Sequence, residues 1–443
     1  MDQGNVVRAS VIGCGYLGAV HAASLAALGH EVVGVDVDQD KIALLARGEA
    51  PFFEPGLADL LQAGMSAGKL RFSTDFAAAA DCQLHFLAVG TPQMRGSQAA
   101  DLTFIHAAVD ALLPWLRPGA VVVGKSTVPV GTARELADKI AAAVPGALLA
   151  WNPEFLREGF AVEDTLRPDR IVYGLPADAA EAEAAKALLD QLYAKPLASG
   201  CPLISTDYQT AELVKVAANS FLATKISFIN AMAEIAEVVG ADVTKLADAI
   251  GFDQRIGRKF LNAGVGFGGG CLPKDIRAFQ ARADELGTGR SVSFLSEVDA
   301  INLRRRERVV ELVLASLGDD YQQKRVAVLG LAFKPESDDV RDSPALDVAV
   351  RLHGLGVGVV ATDPQAIGNA RRLHPQLDFA ATAEEAVDGA EVVVLVTEWR
   401  QYRDFDPKLA HALVARPVVI DGRNCLDADR WRDAGWTYLG MGR

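Results

Sequence analysis

Short apolar runs alternate with alanine-rich helical stretches through the first 150 residues. The run Val6-Val7-Arg8-Ala9-Ser10-Val11-Ile12 leads into Gly13-Cys14-Gly15-Tyr16-Leu17-Gly18. A helical pattern follows to Leu28, Gly29 stops it, and a second run, Val32-Val33-Gly34-Val35, ends at Asp36. This order predicts a strand–helix–strand unit with the glycines at the strand-to-helix turn. Runs at 84–89, 120–123 and 148–150 extend it as further parallel strands. The first two end in polar turns, Gly90-Thr91-Pro92 and Lys125-Ser126-Thr127-Val128-Pro129. In a doubly wound sheet the carboxyl ends of the strands form the ligand crevice, which puts Thr91 and Thr127 beside a cofactor. The third leads into the polar loop 152–159.

From Thr206 the period changes. Thr206 and Gln209 have capping-box spacing, and helical periodicity then runs unbroken to Gly240. At ~1.5 Å per residue this helix is about 50 Å long, enough to join domains and offer a dimer surface. Lys215 and Asn219, four apart, share one of its faces. A charged helical segment at 302–317 precedes a second β-rich region that starts at Lys324. There Val326-Ala327-Val328-Leu329 meets Gly330, the run 357–362 ends at Asp363-Pro364, and 392–396 is a further buried strand. The turn Gly330-Leu331-Ala332-Phe333-Lys334 lacks the GxGxxG spacing, so this region is expected to bind part of a nucleotide substrate and no second dinucleotide. The pattern as a whole predicts an α/β protein with two Rossmann-like domains bridged by a helical middle.

Composition narrows the function classes. A chain of 443 residues is too long for one core, and two or three domains are expected. A net charge of -13 leaves no basic stripe to neutralise phosphates, which argues against nucleic acid as a partner. Arg304-Arg305-Arg306 sits in an alternating-charge run and reads as a solvated helix face. No apolar run approaches the ~18 residues of a membrane span. The opening Met1-Asp2-Gln3-Gly4-Asn5 has no basic, signal-like character, so a cytoplasmic location is expected. Five dispersed cysteines fit free thiols in a reducing compartment and offer no metal-ligand spacing.

Two stretches carry chemistry. In the first, Gly13 permits a tight turn, Gly15 lets backbone approach a pyrophosphate, and Gly18 lets helix pack on strand, with the helix N-terminus facing the phosphates. Asp36 would accept from the ribose hydroxyls and repel a 2′-phosphate, which favours NAD over NADP. The second is Gly264-Val265-Gly266-Phe267-Gly268-Gly269-Gly270-Cys271-Leu272-Pro273-Lys274-Asp275, whose glycines would let a ligand come very close. A free cysteine is usually a small buried hydrophobe, a reading that suits Cys14, Cys82, Cys201 and Cys425. Cys271 reads instead as a nucleophile, because a glycine loop holds it and Lys274 and Asp275 follow. Lys274 is either the thiol's cationic neighbour or a solvated loop lysine. Asp275 either activates water or caps a helix beginning near Ile276. A nucleophilic thiol beside NAD points to an aldehyde captured as a thiohemiacetal, oxidised to a thioester and hydrolysed to an acid.

In these residues the chain resembles the UDP-glucose/GDP-mannose dehydrogenase family over nearly its whole length. The fingerprint 13–18 with Asp36, Gly90-Thr91-Pro92, Lys125-Ser126-Thr127-Val128 and Asn152-Pro153-Glu154-Phe155-Leu156-Arg157-Glu158-Gly159 carry the first block. Lys215, Asn219 and the run 260–275 with its Gly-Gly-Cys-Leu-Pro-Lys-Asp ending carry the second. Gly330-Leu331-Ala332-Phe333-Lys334 and Asp338-Asp339-Val340-Arg341-Asp342-Ser343 carry the third. The resemblance implies domains at 1–203 (NAD-binding), 204–317 (helical, dimerising, with the cysteine loop) and 318–443 (UDP-sugar-binding). It implies a four-electron oxidation of a nucleotide sugar at C6 with two NAD, Cys271 being the nucleophile.

By the same resemblance Lys215 and Asn219 stabilise the oxyanion. Thr127, Glu154 and Asp275 position water and assist proton transfer, and Asp275 also supports Lys215. The nucleotide sugar is held by Glu154, Phe155, Leu156, Lys215, Asn219, Phe260, Leu261, Asn262, Ala263, Gly264, Gly268 and Lys334. NAD is held by Gly13, Gly15, Tyr16, Leu17, Gly18, Asp36, Lys41, Thr91, Thr127, Glu154, Lys274 and Arg341. A homodimer through the long helix is expected. Asp253-Gln254-Arg255-Ile256-Gly257 looks more like the UDP-glucose branch, giving UDP-glucuronate, with GDP-mannose as the alternative substrate. A non-catalytic NAD-binding sensor is the rival of another class, and the Cys271, Lys215, Asn219 set argues against it. One departure is visible: Ala231 follows Asn230 where many members carry Glu, with Glu234 a turn later, and this bears on packing.

Overall fold

The computed structural model describes residues 6–443, so the expectation drawn from the first five residues lies outside the described part. The chain forms two compact units. The first runs to Ala218 and includes Ala281–Gly287; the second is Asn219–Gln280 with Thr288–Arg443. The division falls within the long helix, Tyr208–Val239.

In the first unit the apolar runs form an eight-stranded sheet: β1 (Arg8–Ile12), β2 (Glu31–Val35), β3 (Leu70–Ser73), β4 (Leu84–Leu87), β5 (Val121–Gly124), β6 (Leu148–Trp151), β7 (Ile171–Leu175) and β8 (Leu203–Asp207). The order is β3-β2-β1-β4-β5-β6-β7-β8. All pairs are parallel except β6 with β7. The order reverses between β1 and β4, the switch point at which this architecture binds ligands. Strands β4 and β5 are buried at every position, as expected where helices cover both faces. Two hydrophobic clusters, one around Val11, Leu25 and Phe86 and the other around Ile12, Val122 and Trp151, form the core.

The second unit repeats the order in a six-stranded, all-parallel sheet, β11-β10-β9-β12-β13-β14. Its strands are β9 (Arg325–Leu329), β10 (Gly358–Thr362), β11 (Asp378–Phe379), β12 (Val392–Leu395), β13 (Val418–Asp421) and β14 (Thr437–Gly440). Its first turn, at Gly330, is as tightly packed as the one at Gly13 but lacks the GxGxxG spacing. A side chain at Gly330 would sit 2.4 Å from Thr397 Cβ. Asp363, the counterpart of Asp36, is 2% exposed and accepts from Leu331 N (2.7 Å), Ala332 N (3.0 Å) and Trp399 Nε1 (3.1 Å). The helical middle contributes Val243–Gly251, Leu272–Glu285 and Phe294–Leu317 beside the long helix. The fold class expected from the sequence is the one observed.

Two local expectations are corrected. The long helix starts at Tyr208, and its end is capped by Asp207, whose carboxylate accepts from Thr210 N at 2.7 Å. Thr206 belongs instead to β8, because pairing with β7 draws the chain into the sheet up to Asp207. The arginine cluster is not a solvated face. Arg305 and Arg306 are buried, with Glu237 2.9 Å from Arg305 and Asp342 2.8 Å from Arg306, and Arg304 alone is half exposed. Their neighbours Val309, Val310 and Val313 join the core, which carries two of the three arginines inward with that face. Among the described residues no helix is long and apolar enough to cross a membrane. At the departure from the family pattern, Glu234 lies 3.7 Å from Arg304, while Asn230 is buried and accepts from Gly264 N at 2.9 Å.

Candidate active site

The first unit builds a dinucleotide cradle. Gly13 turns the chain at φ +91°, and a Cβ there would lie 3.0 Å from Val89 N. A Cβ on Gly18 would lie 1.7 Å from Gly13 O, so only glycine lets the helix Tyr16–Leu28 seat against the turn. Gly15 is the helix N-cap, no side chain caps the helix, and nothing lies within 4 Å of where its Cβ would be. Open space over uncapped N–H groups fits a pyrophosphate. Asp36 follows the last residue of β2, accepts from Cys14 N (2.7 Å) and Lys41 Nζ (2.9 Å) on Oδ2, and takes Asp38 N (3.0 Å) on Oδ1. Acceptor capacity remains on Oδ1 for a ribose hydroxyl. Lys41 therefore sits on Asp36, and Leu17 packs half-buried against the core.

Tyr16 does more than flank the glycines. Its hydroxyl donates to Glu54, a buried carboxylate that also accepts from Gly159 N and Ala161 N, both at 2.7 Å. The cofactor turn is thereby tied to the loop 152–159. That loop follows β6 and carries Glu154, Phe155 and Leu156. Glu154 Oε1 accepts from Phe155 N (2.8 Å) and Leu156 N (3.0 Å), and Oε2 lies 3.0 Å from Lys125 Nζ. Burial pushes the Glu154 carboxyl up, but Lys125 and these amides outweigh it and hold it below the ordinary glutamate value. The Phe155 ring has the Arg170 guanidinium carbon 3.8 Å and Lys215 Nζ 5.4 Å from its centroid. At the ends of β4 and β5, Thr91 Oγ1 donates to Thr127 O at 2.7 Å, so the two threonines come together.

The second unit builds the cysteine site. Cys271 is exposed, and its carbonyl accepts from Asp275 N at 3.0 Å, which makes it the N-cap of Leu272–Glu285. Asp275 therefore does not cap a helix near Ile276; the helix begins four residues earlier and Asp275 lies in its first turn. Its carboxylate is 2% exposed and accepts from Asn219 Nδ2 and Lys274 Nζ, each at 2.6 Å. The helix N-terminus presents partial positive charge to an anion at the Cys271 position.

The reason for the glycines also differs from expectation. Cβ atoms would fall 2.6 Å from Gly422 O at Gly264, 2.3 Å from Asn302 Oδ1 at Gly266, and 2.2 Å from Asp342 O at Gly268. At Gly270 a Cβ would fall 2.4 Å from Arg341 Cζ. At Gly264 and Gly268 backbone fills the side-chain direction and at Gly266 the buried Asn302 does, so packing requires these three glycines; at Gly270 the neighbour is the flexible end of Arg341. Asn302, Arg306 and Arg423 hold the loop by its backbone: Phe267 N to Asn302 Oδ1 at 2.7 Å, Arg306 Nη2 to Phe267 O at 3.2 Å, Arg423 Nη1 to Gly266 O at 2.8 Å.

Phe260 adopts φ +65° and is 38% exposed, Leu261 and Ala263 are buried, and Asn262 accepts from Arg258 Nη1 at 2.8 Å. Lys334 lies 5.3 Å from the centroid of the Phe333 ring, and Arg341 pairs with Asp339 at 2.6 Å. Of the other cysteines only Cys14 is buried; Cys82, Cys201 and Cys425 are half-buried, and burial pushes the Cys82 thiol up to about 11. Lys125, Asn152, Tyr193, Glu54, Arg306 and Asn302 were not singled out by residue type. Lys125 was visible as the first residue after an apolar strand, whereas Glu54 and Tyr193 act through contacts more than a hundred and about forty positions away.

A Rossmann cradle with an acidic residue placed for an unphosphorylated ribose, joined in one chain to an exposed cysteine at the N-cap of the helix that carries Lys274 and Asp275, defines a nicotinamide-dependent dehydrogenase. Residues 7–196 match the NAD binding domain of the UDP-glucose/GDP-mannose dehydrogenase family, 209–304 its central domain and 327–428 its UDP binding domain. The chain belongs to this family. It is 41% identical over 440 residues to UDP-glucose 6-dehydrogenase of Rhizobium meliloti (strain 1021), covering 99% of this chain and 100% of that one. UDP-glucose 6-dehydrogenase TuaD of Bacillus subtilis (strain 168) is 39% identical over 441 residues, covering 98% and 93%. A UDP-glucose dehydrogenase from the hyperthermophilic archaeon Pyrobaculum islandicum superposes with a TM-score of 0.89 at 37% identity, covering 100% of this chain and 99% of that one. The cofactor is NAD.

Proposed function

We propose that the protein oxidises the C6 alcohol of UDP-glucose to the carboxylate of UDP-glucuronate, with two NAD reduced per acid. The observation that carries this reading is the exposed Cys271 at the N-cap of the helix whose first turn holds Lys274 and Asp275, with Asp275 hydrogen-bonded to Asn219 and Lys274. The full-length relatives support UDP-glucose as the sugar.

Bound NAD supplies the hydride acceptor for both oxidations. It is held by Gly13, Gly15, Tyr16, Leu17, Gly18, Asp36, Lys41, Thr91 and Thr127, with Lys274 and Arg341 as further contacts. Glu154 and Thr127 take and pass the C6 hydroxyl proton as the alcohol becomes an aldehyde. Cys271 Sγ then adds to C6, forming a C–S bond, and Lys215 and Asn219 stabilise the negative oxygen. Loss of the second hydride leaves a thioester on Cys271. Water, deprotonated with help from Glu154 and Asp275, adds to it; the C–S bond breaks and the thiolate is restored. Phe155, Leu156, residues 260–264, Gly268 and Lys334 hold the nucleotide sugar, and Asp275 also supports Lys215.

The division at 1–203, 204–317 and 318–443 belongs to this reading and is supported by the matched ranges, which fall inside it. So does a homodimer through the long helix, supported by Phe221, Phe228 and Ile235, 66%, 49% and 56% exposed at heptad spacing. Unbridged cysteines support a reducing, cytoplasmic location. The test is NADH formation from UDP-glucose and GDP-mannose side by side. Faster turnover of UDP-glucose is expected; faster turnover of GDP-mannose transfers the assignment, and NAD binding without any NADH returns the protein to a sensor.

A further inference from the structure

Lys125 follows the last residue of β5, and its side chain is only 3% exposed. Three acceptors surround the ammonium: Asn152 Oδ1 at 2.9 Å, Glu154 Oε2 at 3.0 Å and Tyr193 Oη at 3.4 Å. An ammonium has three donors, so none remains for a ligand. Tyr193 Oη donates to Asn152 Oδ1 at 2.7 Å, and Asn152 Nδ2 donates to Val172 O at 2.9 Å, which closes the network. The rings of Phe86 and Tyr193 lie 5.8 and 6.0 Å from Nζ. Replacing a buried ion pair by hydrocarbon of similar volume is commonly neutral for stability, so stability alone gives little reason for this one.

The reason lies at the other end of the pair. A carboxylate offers about four acceptor positions. Phe155 N and Leu156 N occupy Oε1 of Glu154, and Lys125 occupies one position of Oε2. Among the described residues one position on Oε2 is left. We propose that Lys125 is a positioning residue for the reaction: it keeps Glu154 ionised and turns its carboxylate so that the one unshared Oε2 position exchanges protons with substrate or water. This rests on the role given to Glu154 in the proposed reaction.

The charged and titratable groups around the pair are few. Lys215, on the long helix, also favours the Glu154 anion. Tyr193 is kept protonated by burial and by Glu154, and His21 is kept neutral by burial and by Lys125. Without the ammonium, burial of Glu154 is opposed by the Phe155 amide and Lys215, and the carboxyl must titrate at higher pH.

The experiment replaces Lys125→Met, which keeps volume and removes charge, with Lys125→Gln as a second variant that keeps a donor. Carboxyl-13C glutamate is introduced, and the Glu154 resonance is assigned by its loss in Glu154→Gln. The Glu154 midpoint should rise by at least about one pH unit, and the acid limb of kcat should move with it, a roughly fivefold loss at the midpoint of the old limb and about tenfold below it. KM for UDP-glucose should change far less. An unmoved midpoint, or a loss of kcat equal at every pH, overturns the proposal. If wild-type protein makes no NADH from UDP-glucose, the proposed reaction fails while the resonance still decides what Lys125 does to Glu154.

Discussion

Truncating Glu54 should loosen the loop that carries Glu154. The Glu54 carboxylate takes the Tyr16 hydroxyl, Gly159 N and Ala161 N. Burial and the Glu54 charge push the Tyr16 hydroxyl well above its usual range, so it stays a donor at every working pH. In Glu54→Ala, Gly159 N keeps the Tyr16 oxygen at 3.0 Å, leaving Ala161 N and the Tyr16 hydroxyl without their acceptor. Hydrogen bonds to a charged group contribute about 1.5–3 kcal/mol each, so two such losses, partly offset by water entering the gap, come to about 3 kcal/mol. For a unit of this size that lowers Tm by about 6–12 °C. Glu54→Gln, which keeps one acceptor oxygen, should fall by about half as much. The assay is calorimetric unfolding of both variants, paired with KM for UDP-glucose, which should rise because residues 154–156 lie between the two ends of the anchored loop. Melting within a degree of wild type with an unchanged KM refutes the anchoring role.

Acid should destabilise the first unit through a histidine remote from the site. His85 is fully buried in β4 with Nδ1 2.9 Å from Ser10 Oγ, and burial pushes it down from 6.5 to about 4. A depressed folded value means that the stabilisation of the neutral ring is complete above pH 6.5 and is lost as pH falls towards 4, about 3 kcal/mol at ~1.4 kcal/mol per unit. Denaturant midpoints at pH 7 and 4.5 should therefore fall further in wild type than in His85→Asn; parallel curves contradict this. Wild-type protein should sediment as the proposed dimer in analytical ultracentrifugation and Phe228→Asp as a monomer at micromolar concentration; a variant dimer of undiminished stability rules out this face of the long helix.

Much of this was legible because local chemistry and fold agree. Gly13, Gly18 and Asp36 are recognisable from spacing, since only glycine tolerates 1.7 Å from a carbonyl oxygen and only a strand end puts Asp36 beside the turn. Cys271 stands out in the sequence through the glycines before it and Lys274 and Asp275 after it. Strand β8 was not, because as an edge strand of Leu-Ile-Ser-Thr-Asp it buries little and shows no alternation. The burial of Arg305 and Arg306 is not visible in the charge pattern, because their partners Glu237 and Asp342 lie 68 and 36 positions away. The glycine loop is conspicuous in the sequence, but what fills the space beside Gly266 and Gly270 comes from Asn302 and Arg341, 36 and 71 positions on. Glu54 and Tyr193 left no signal, since their value comes from partners remote in sequence.

The central claim is that Cys271 carries the acid as a thioester. Cys271→Ser protein is incubated with UDP-glucose and NAD, and UDP-glucuronate is quantified against wild type, with NAD affinity measured in parallel. Acid release should vanish while NAD affinity stays near the wild-type value; acid formed at the wild-type rate contradicts the account.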